Sequence, residues 1–183
     1  MASSRERAFR ALATIGTSLD GYIARTDGDI EWLNERGAQA GDTGYDDFMA
    51  RVDTVVMGRN TYEKVLTFGF WPYEGKRVAV LSTKLSTSDP NVTVHPTLDG
   101  LLDALAAAGA KNVYADGGQI IQTFLREGIL DEITITTAPV LLGAGIPLFG
   151  RLDRDIDLTR GDTRALGGGF VQTTYTVNPG ATG

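Results

Sequence analysis

The stretch "VVMGRNTYEKV", residues 55–65, decides how this chain is read: an apolar run ends at Met57, one glycine follows, and a polar helix start carries Arg59, Asn60 and Thr61. A parallel strand that feeds a helix through one glycine aims backbone N–H groups and the positive helix end at one spot, which suits a phosphate. A plain strand–helix connector with a solvated arginine fits the same residues. The rest of the chain has to choose between the two.

The pattern recurs. "RVAVLSTK" (77–84) is an apolar run ending in small donors and a cation, and "KNVYADGGQIIQTFLREG" (111–128) repeats strand, glycine turn and helix. In that helix Ile120, Ile121, Phe124 and Leu125 form the buried side, with Gly128 as the stop. Between them "TLDGLLDALAAAG" (97–109) spaces Leu98, Leu101, Leu102 and Leu105 as one helical face, with Thr97 or Asp99 near its start and Gly109 at its end. Phe9 to Ile15 and "EITITTAPVLLG" (132–143) read as strands, "YDDFMARV" (45–52) as a short helix, and Ile30, Trp32 and Leu33 as a short helix or turn. "TSLDGYIA" (17–24) turns at Asp20-Gly21. The final "IDLTRGDTRALGGGFVQTTYTV" (156–177) has no helical period and predicts an antiparallel hairpin on the sheet edge. Alternating strands and helices followed by a β-rich end predict a three-layer α/β/α sandwich with a mostly parallel mixed sheet, in one domain over 1–183 with a core of about 9–177.

Composition bounds the function. The 183 residues carry a net charge of −6, which argues against a nucleic-acid or anionic-membrane partner, so any anionic ligand must be met locally. There is no cysteine, which removes disulfides, thiol nucleophiles and zinc–thiolate sites, and the lone histidine, His95, reads as a surface residue rather than part of a metal site. The opening residues lack the apolar segment of a signal peptide and read as a short tail, and "NPGATG" (178–183) reads as a frayed end; the cytoplasm is the expected compartment.

Three strand ends therefore present ligand-binding loops: "GRNT" (58–61), "LSTK" (81–84) and "DGGQ" (116–119). Ligands of such sheets bind outside the carboxyl ends of the strands. A Rossmann fingerprint after the first strand is absent, but Gly117 and Gly118 allow backbone to approach a pyrophosphate at the start of a helix. Together the three loops point to a dinucleotide. Asp116 stands awkwardly beside such a group unless its carboxyl turns toward an amide or hydroxyl. Trp32 suits either the core or a site wall, Asp46 and Asp47 suit a solvated helix start, and Asp20 suits a turn.

"SLDGYIA" with Trp32 behind it, "VVMGRNTYE", "LST", "DGGQIIQTFL" and "DEITITTAPVLLGAGIPLF" resemble the dihydrofolate reductase superfamily, in particular its branch typified by the C-terminal reductase domain of the riboflavin-biosynthesis protein RibD. The resemblance implies an NADPH-dependent reductase of a pteridine-like, riboflavin-precursor pyrimidine-like or related small substrate, working as a homodimer. It implies that Gly58, Arg59, Asn60 and Thr61 hold cofactor phosphates, with Arg59 on the 2′-phosphate. It further places Leu81, Ser82 and Thr83 beside the adenosine, Gly117, Gly118, Gln119 and Ile120 around the pyrophosphate, and the Gly16–Ile23 loop over the nicotinamide. Asp20, Tyr22, Trp32 and Phe48 are the expected substrate contacts, and Asp47, or a water beside it, the expected proton relay. "GYDDF" is shorter than the acid-bearing helix of dihydrofolate reductases, and Tyr22 stands where RibD-type reductases often carry a base. A non-catalytic nucleotide- or pterin-binding module using the same cleft is the alternative.

Overall fold

The computed structural model describes residues 7–180; the outermost parts of both expected tails, 1–6 and 181–183, lie outside the described residues. The central sheet holds eight strands: β1 (Arg10–Ser18), β3 (Thr54–Gly58), β4 (Arg77–Leu81), β5 (Val92–His95), β6 (Asn112–Asp116), β7 (Leu130–Ala138), β9 (Leu158–Ala165) and β10 (Val171–Val177). Two short strands, β2 (Tyr22–Ala24) and β8 (Ile146–Pro147), pair with each other apart from it. The helices are α1 (Glu31–Gly37), α2 (Tyr45–Arg51), α3 (Arg59–Val65), α4 (Leu98–Ala107) and α5 (Gly118–Arg126).

The strand order is β5-β4-β3-β6-β1-β7-β10-β9. Neighbours from β5 to β7 run parallel, and β10 joins β7 antiparallel before turning back into β9 at the edge. Side-chain alternation makes the layers. Ala11, Ala13, Val56, Ala79, Val113 and Ala115 point to one face and pack with Leu101 and Leu105 of α4 and Ile120, Ile121, Phe124 and Leu125 of α5. Leu12, Val55, Met57, Val78, Val80 and Tyr114 point to the other and pack with Phe48 of α2 and Tyr62 and Val65 of α3. These are strands buried on both faces, which is why their sequences are continuous apolar runs.

Asp53 ties the far ends of three strands together: its carboxylate accepts from the Lys111 and Asn112 amides at 2.9 and 2.7 Å, and its carbonyl accepts from Arg77 N at 3.1 Å. The expected caps are present. The Thr97 hydroxyl accepts from Gly100 N at 3.2 Å, and Gly109 and Gly128 take φ of +68° and +66° just past α4 and α5. Two strands differ from expectation: β7 starts at Leu130 and stops at Ala138, leaving 139–143 outside it, and β1 runs past Ile15. β1 continues through Gly16 to Ser18 because each of those residues pairs with β7, so the first loop is reduced to the turn at Leu19–Gly21. Among the described residues no helix is long and apolar enough to cross a membrane.

Candidate active site

Because β6 lies between β3 and β1, the carboxyl ends of these three strands stand side by side. A cleft of about 750 Å³ opens there. Gly16 from β1, Ile23 from β2, Gly58, Asn60 and Thr61 from the β3–α3 junction, and Gly117, Gly118, Gln119 and Ile120 from the β6–α5 junction line it. A second depression of about 380 Å³ is lined by Arg59, Leu81, Ser82, Thr83 and Lys84. Asn60 and Gln119 line both, so the two depressions meet at these side chains. Every residue matched to the cofactor thus lines one of two depressions that share Asn60 and Gln119.

The glycines fit a close ligand approach. Gly58 has ordinary extended backbone at φ −85°, ψ 172°, and a Cβ there would meet no protein atom within 4 Å, so protein packing does not require a glycine. Gly117 takes φ +97°, a conformation that L side chains rarely adopt, and an added Cβ would stand 2.5 Å from Thr61 Oγ1. At Gly118 the added Cβ would stand 2.6 Å from Ile23 Cδ1, the far end of a flexible side chain. Two depressions that share Asn60 and Gln119, glycine backbone in the larger and cations in the smaller together fit a dinucleotide phosphate. Arg59 is half exposed and pairs with Glu63 one turn along α3 at 3.5 Å.

The residues expected on the substrate side fall elsewhere. Trp32 is only 2% exposed and packs with Ala40, Ala138 and Phe170 behind the cleft, while its neighbour Leu33 faces the cleft. Asp46 and Asp47 are exposed in the first turn of α2, outside the cleft lining. Phe48 is buried edge-on against Tyr114, ring centroids 5.0 Å apart. Asp20 organises the turn: it accepts from the Ser18 hydroxyl at 2.5 Å and from the Leu142 and Gly143 amides at 3.2 and 2.8 Å. Those bonds, the Ser18 hydroxyl first, hold its carboxyl below the usual range. Tyr22 pairs with Pro147 in the small sheet.

The acid that does face the cleft is Asp116, at the end of β6. Its carboxylate accepts from the Tyr73 hydroxyl at 2.5 Å and from the Tyr114 hydroxyl at 3.4 Å, the turn toward hydroxyls that an acid beside a pyrophosphate requires. Burial pushes its pKa up, and the two phenol bonds only partly oppose this. Burial and the Asp116 carboxylate together raise the phenols of Tyr73, Tyr114 and Tyr45, so the three remain protonated. No local sequence pattern announces this cluster. Tyr114 sits in an apolar strand and reads as core, and nothing local ties Tyr73 to an acid 43 residues away. The available signal was Asp116 itself, an acid opening a glycine-rich turn.

Comparison with known proteins identifies the family and the fold. The family model described as the RibD C-terminal domain matches residues 11–172. An uncharacterised Bacillus subtilis protein, YwjB, is 40% identical over 158 residues, covering 84% of this chain and 90% of its own. The crystal structure of a Shewanella sp. PV-4 protein named for riboflavin biosynthesis superposes with a TM-score of 0.84 at 38% identity, covering 93% of this chain and 99% of that one. Dihydrofolate reductase from Enterococcus faecalis, solved with NADP(H), shares the fold at a TM-score of 0.62 and 17% identity, covering 94% of this chain and 98% of the enzyme.

Proposed function

The chain belongs to the RibD C-terminal domain family, and on that premise we propose that it is an NADPH-dependent reductase of a small heterocyclic substrate. The observation that carries the reading is the convergence of all residues matched to the cofactor on two depressions that share Asn60 and Gln119. NADPH, when bound, supplies the hydride. The chain has to orient both reactants, exclude water and deliver a proton to the nitrogen or oxygen beside the reduced carbon.

Asp116 is the acid suited to that last task, in place of Asp47. It faces the cleft, burial raises its pKa above the usual carboxyl value, and Tyr73 and Tyr114 fix its carboxyl. Gly117 and Gly118 bring backbone N–H groups to the start of α5, a helix of nine residues whose positive end favours a pyrophosphate. Arg59 and Lys84 supply positive charge for a 2′-phosphate.

Cytoplasmic location is part of this reading, on the cysteine-free composition. So is a homodimer, for which the exposed neighbours Leu19 and Leu141 offer apolar surface; sedimentation equilibrium showing only monomer at micromolar concentration removes that part. The test of the activity is NADPH oxidation at 340 nm with a panel of pterins, dihydrofolate, pyrimidines, quinones and carbonyl compounds. Turnover of at least one is expected, with dihydrofolate poor because no carboxylate of α2 enters the cleft. NADPH binding with no turnover across the panel favours the binding module instead.

A further inference from the structure

The smaller depression holds Arg59 and Lys84, whereas the cleft has, beyond the residues matched to the cofactor, walls of another kind. These are Tyr45, Phe68 and Tyr73 with the aliphatic Ile30, Leu33 and Val65. Phe68 stands at the rim, 44% exposed, and stacks on Phe70, 68% exposed, with ring centroids 6.1 Å apart and planes 29° from parallel. Aromatic side chains this exposed gain nothing from the core, yet they are held in a stacked pair at the mouth of the cleft.

Among the described residues the charges lining the cleft are Asp27, Glu63, Lys64 and Asp116, so carboxyl groups outnumber cations, and no arginine is among them. A phosphate monoester brings about −1.5 to −2 charges and calls for paired arginines or lysines. Arg59 and Lys84 line the other depression. The polar groups deep in the cleft are instead the phenols and the carboxyl of the Asp116 cluster, which suit ring nitrogens and carbonyls.

Resting on the reductase reading above, we infer that the substrate is an uncharged, unphosphorylated planar aromatic or heteroaromatic ring, stacked beside Phe68 with its polar edge toward Tyr73 and Asp116. A phosphorylated sugar appended to such a ring meets one lysine, Lys64, and no arginine among the described lining residues, against the three carboxyl groups of Asp27, Glu63 and Asp116.

Riboflavin and its 5′-phosphate, FMN, form a matched pair of probes, with lumichrome as the bare ring; quenching of their fluorescence reports binding without turnover. The NADPH-loaded protein is expected to bind riboflavin and lumichrome at least tenfold more tightly than FMN. The ratio should persist at 1 M salt, where screening within about 3 Å removes the general repulsion by the net charge of −6. Phe68→Ala should weaken all three by roughly fivefold, the scale of a lost aromatic pair. FMN bound as tightly as riboflavin, or no ring bound while NADPH binds, overturns the inference. A separate titration showing that NADPH itself does not bind overturns the reductase reading instead.

Discussion

Asp116 concentrates the chemical argument at the scale of single residues. Burial favours its neutral form, and a general acid in that state contributes on the order of a hundredfold or more to a rate. Asp116→Asn keeps the shape and the bond from Tyr73 but cannot donate a carboxylic proton. Turnover should fall by about two orders of magnitude while the NADPH dissociation constant stays within about threefold; unchanged turnover would reassign the proton to solvent. The pH dependence has a fixed sign. With its folded-state pKa above the unfolded one, Asp116 contributes to stability fully below the unfolded value, and that contribution is lost as pH rises through the folded value. The rate should decline across the same rise, because the proton-carrying form is then depleted, and the Asn variant should lack both trends. Asp20 has the opposite sign, its lowered pKa giving stability that is lost as pH falls.

At the scale of elements, the junctions where strands pass into helices define the site, and they were the most legible feature of the sequence. β3–α3 and β6–α5 announce themselves because an apolar run, a glycine and an amphipathic helix are all local signals. β2 and β8 were not separately legible, since a pair of three and two residues has no period to detect. The overrun of β1 to Ser18 comes from pairing with β7, which is more than a hundred residues away in sequence. The substrate wall was the least legible part. Asp47 lies in a readable helix, but the rotation of α2 that leaves it in solvent and brings Tyr45 to the cleft is set by packing Phe48 against Tyr114. The β6–α5 junction also carries a prediction. Gly118→Ala places a methyl group against Ile23 Cδ1, which can rotate away toward the cleft, so folding should survive while the cofactor's approach narrows. NADPH affinity should drop by about tenfold with a melting temperature within a few degrees of wild type, and wild-type affinity would place the pyrophosphate elsewhere.

At the scale of the whole molecule, a sheet with β6 inserted between β3 and β1 gathers three strand ends at one place, and the surrounding charge makes that place selective. A protein of net charge −6 repels anions in general, so a phosphorylated cofactor needs local cations. Arg59 is the cation that follows the glycine of the decisive stretch, and its present partner is an exposed Glu63 whose pairing at 3.5 Å is readily exchanged. A charge-assisted hydrogen bond is worth about 1.5 to 3 kcal/mol, and the exposure of Arg59 puts its share at the lower end, about tenfold in affinity. The most direct measurement is therefore the pair of dissociation constants for NADPH and NADH, taken on wild type and Arg59→Ala at one ionic strength. The account predicts that NADPH weakens by about tenfold and NADH by less than about twofold; an NADPH to NADH ratio unchanged by the substitution would contradict it.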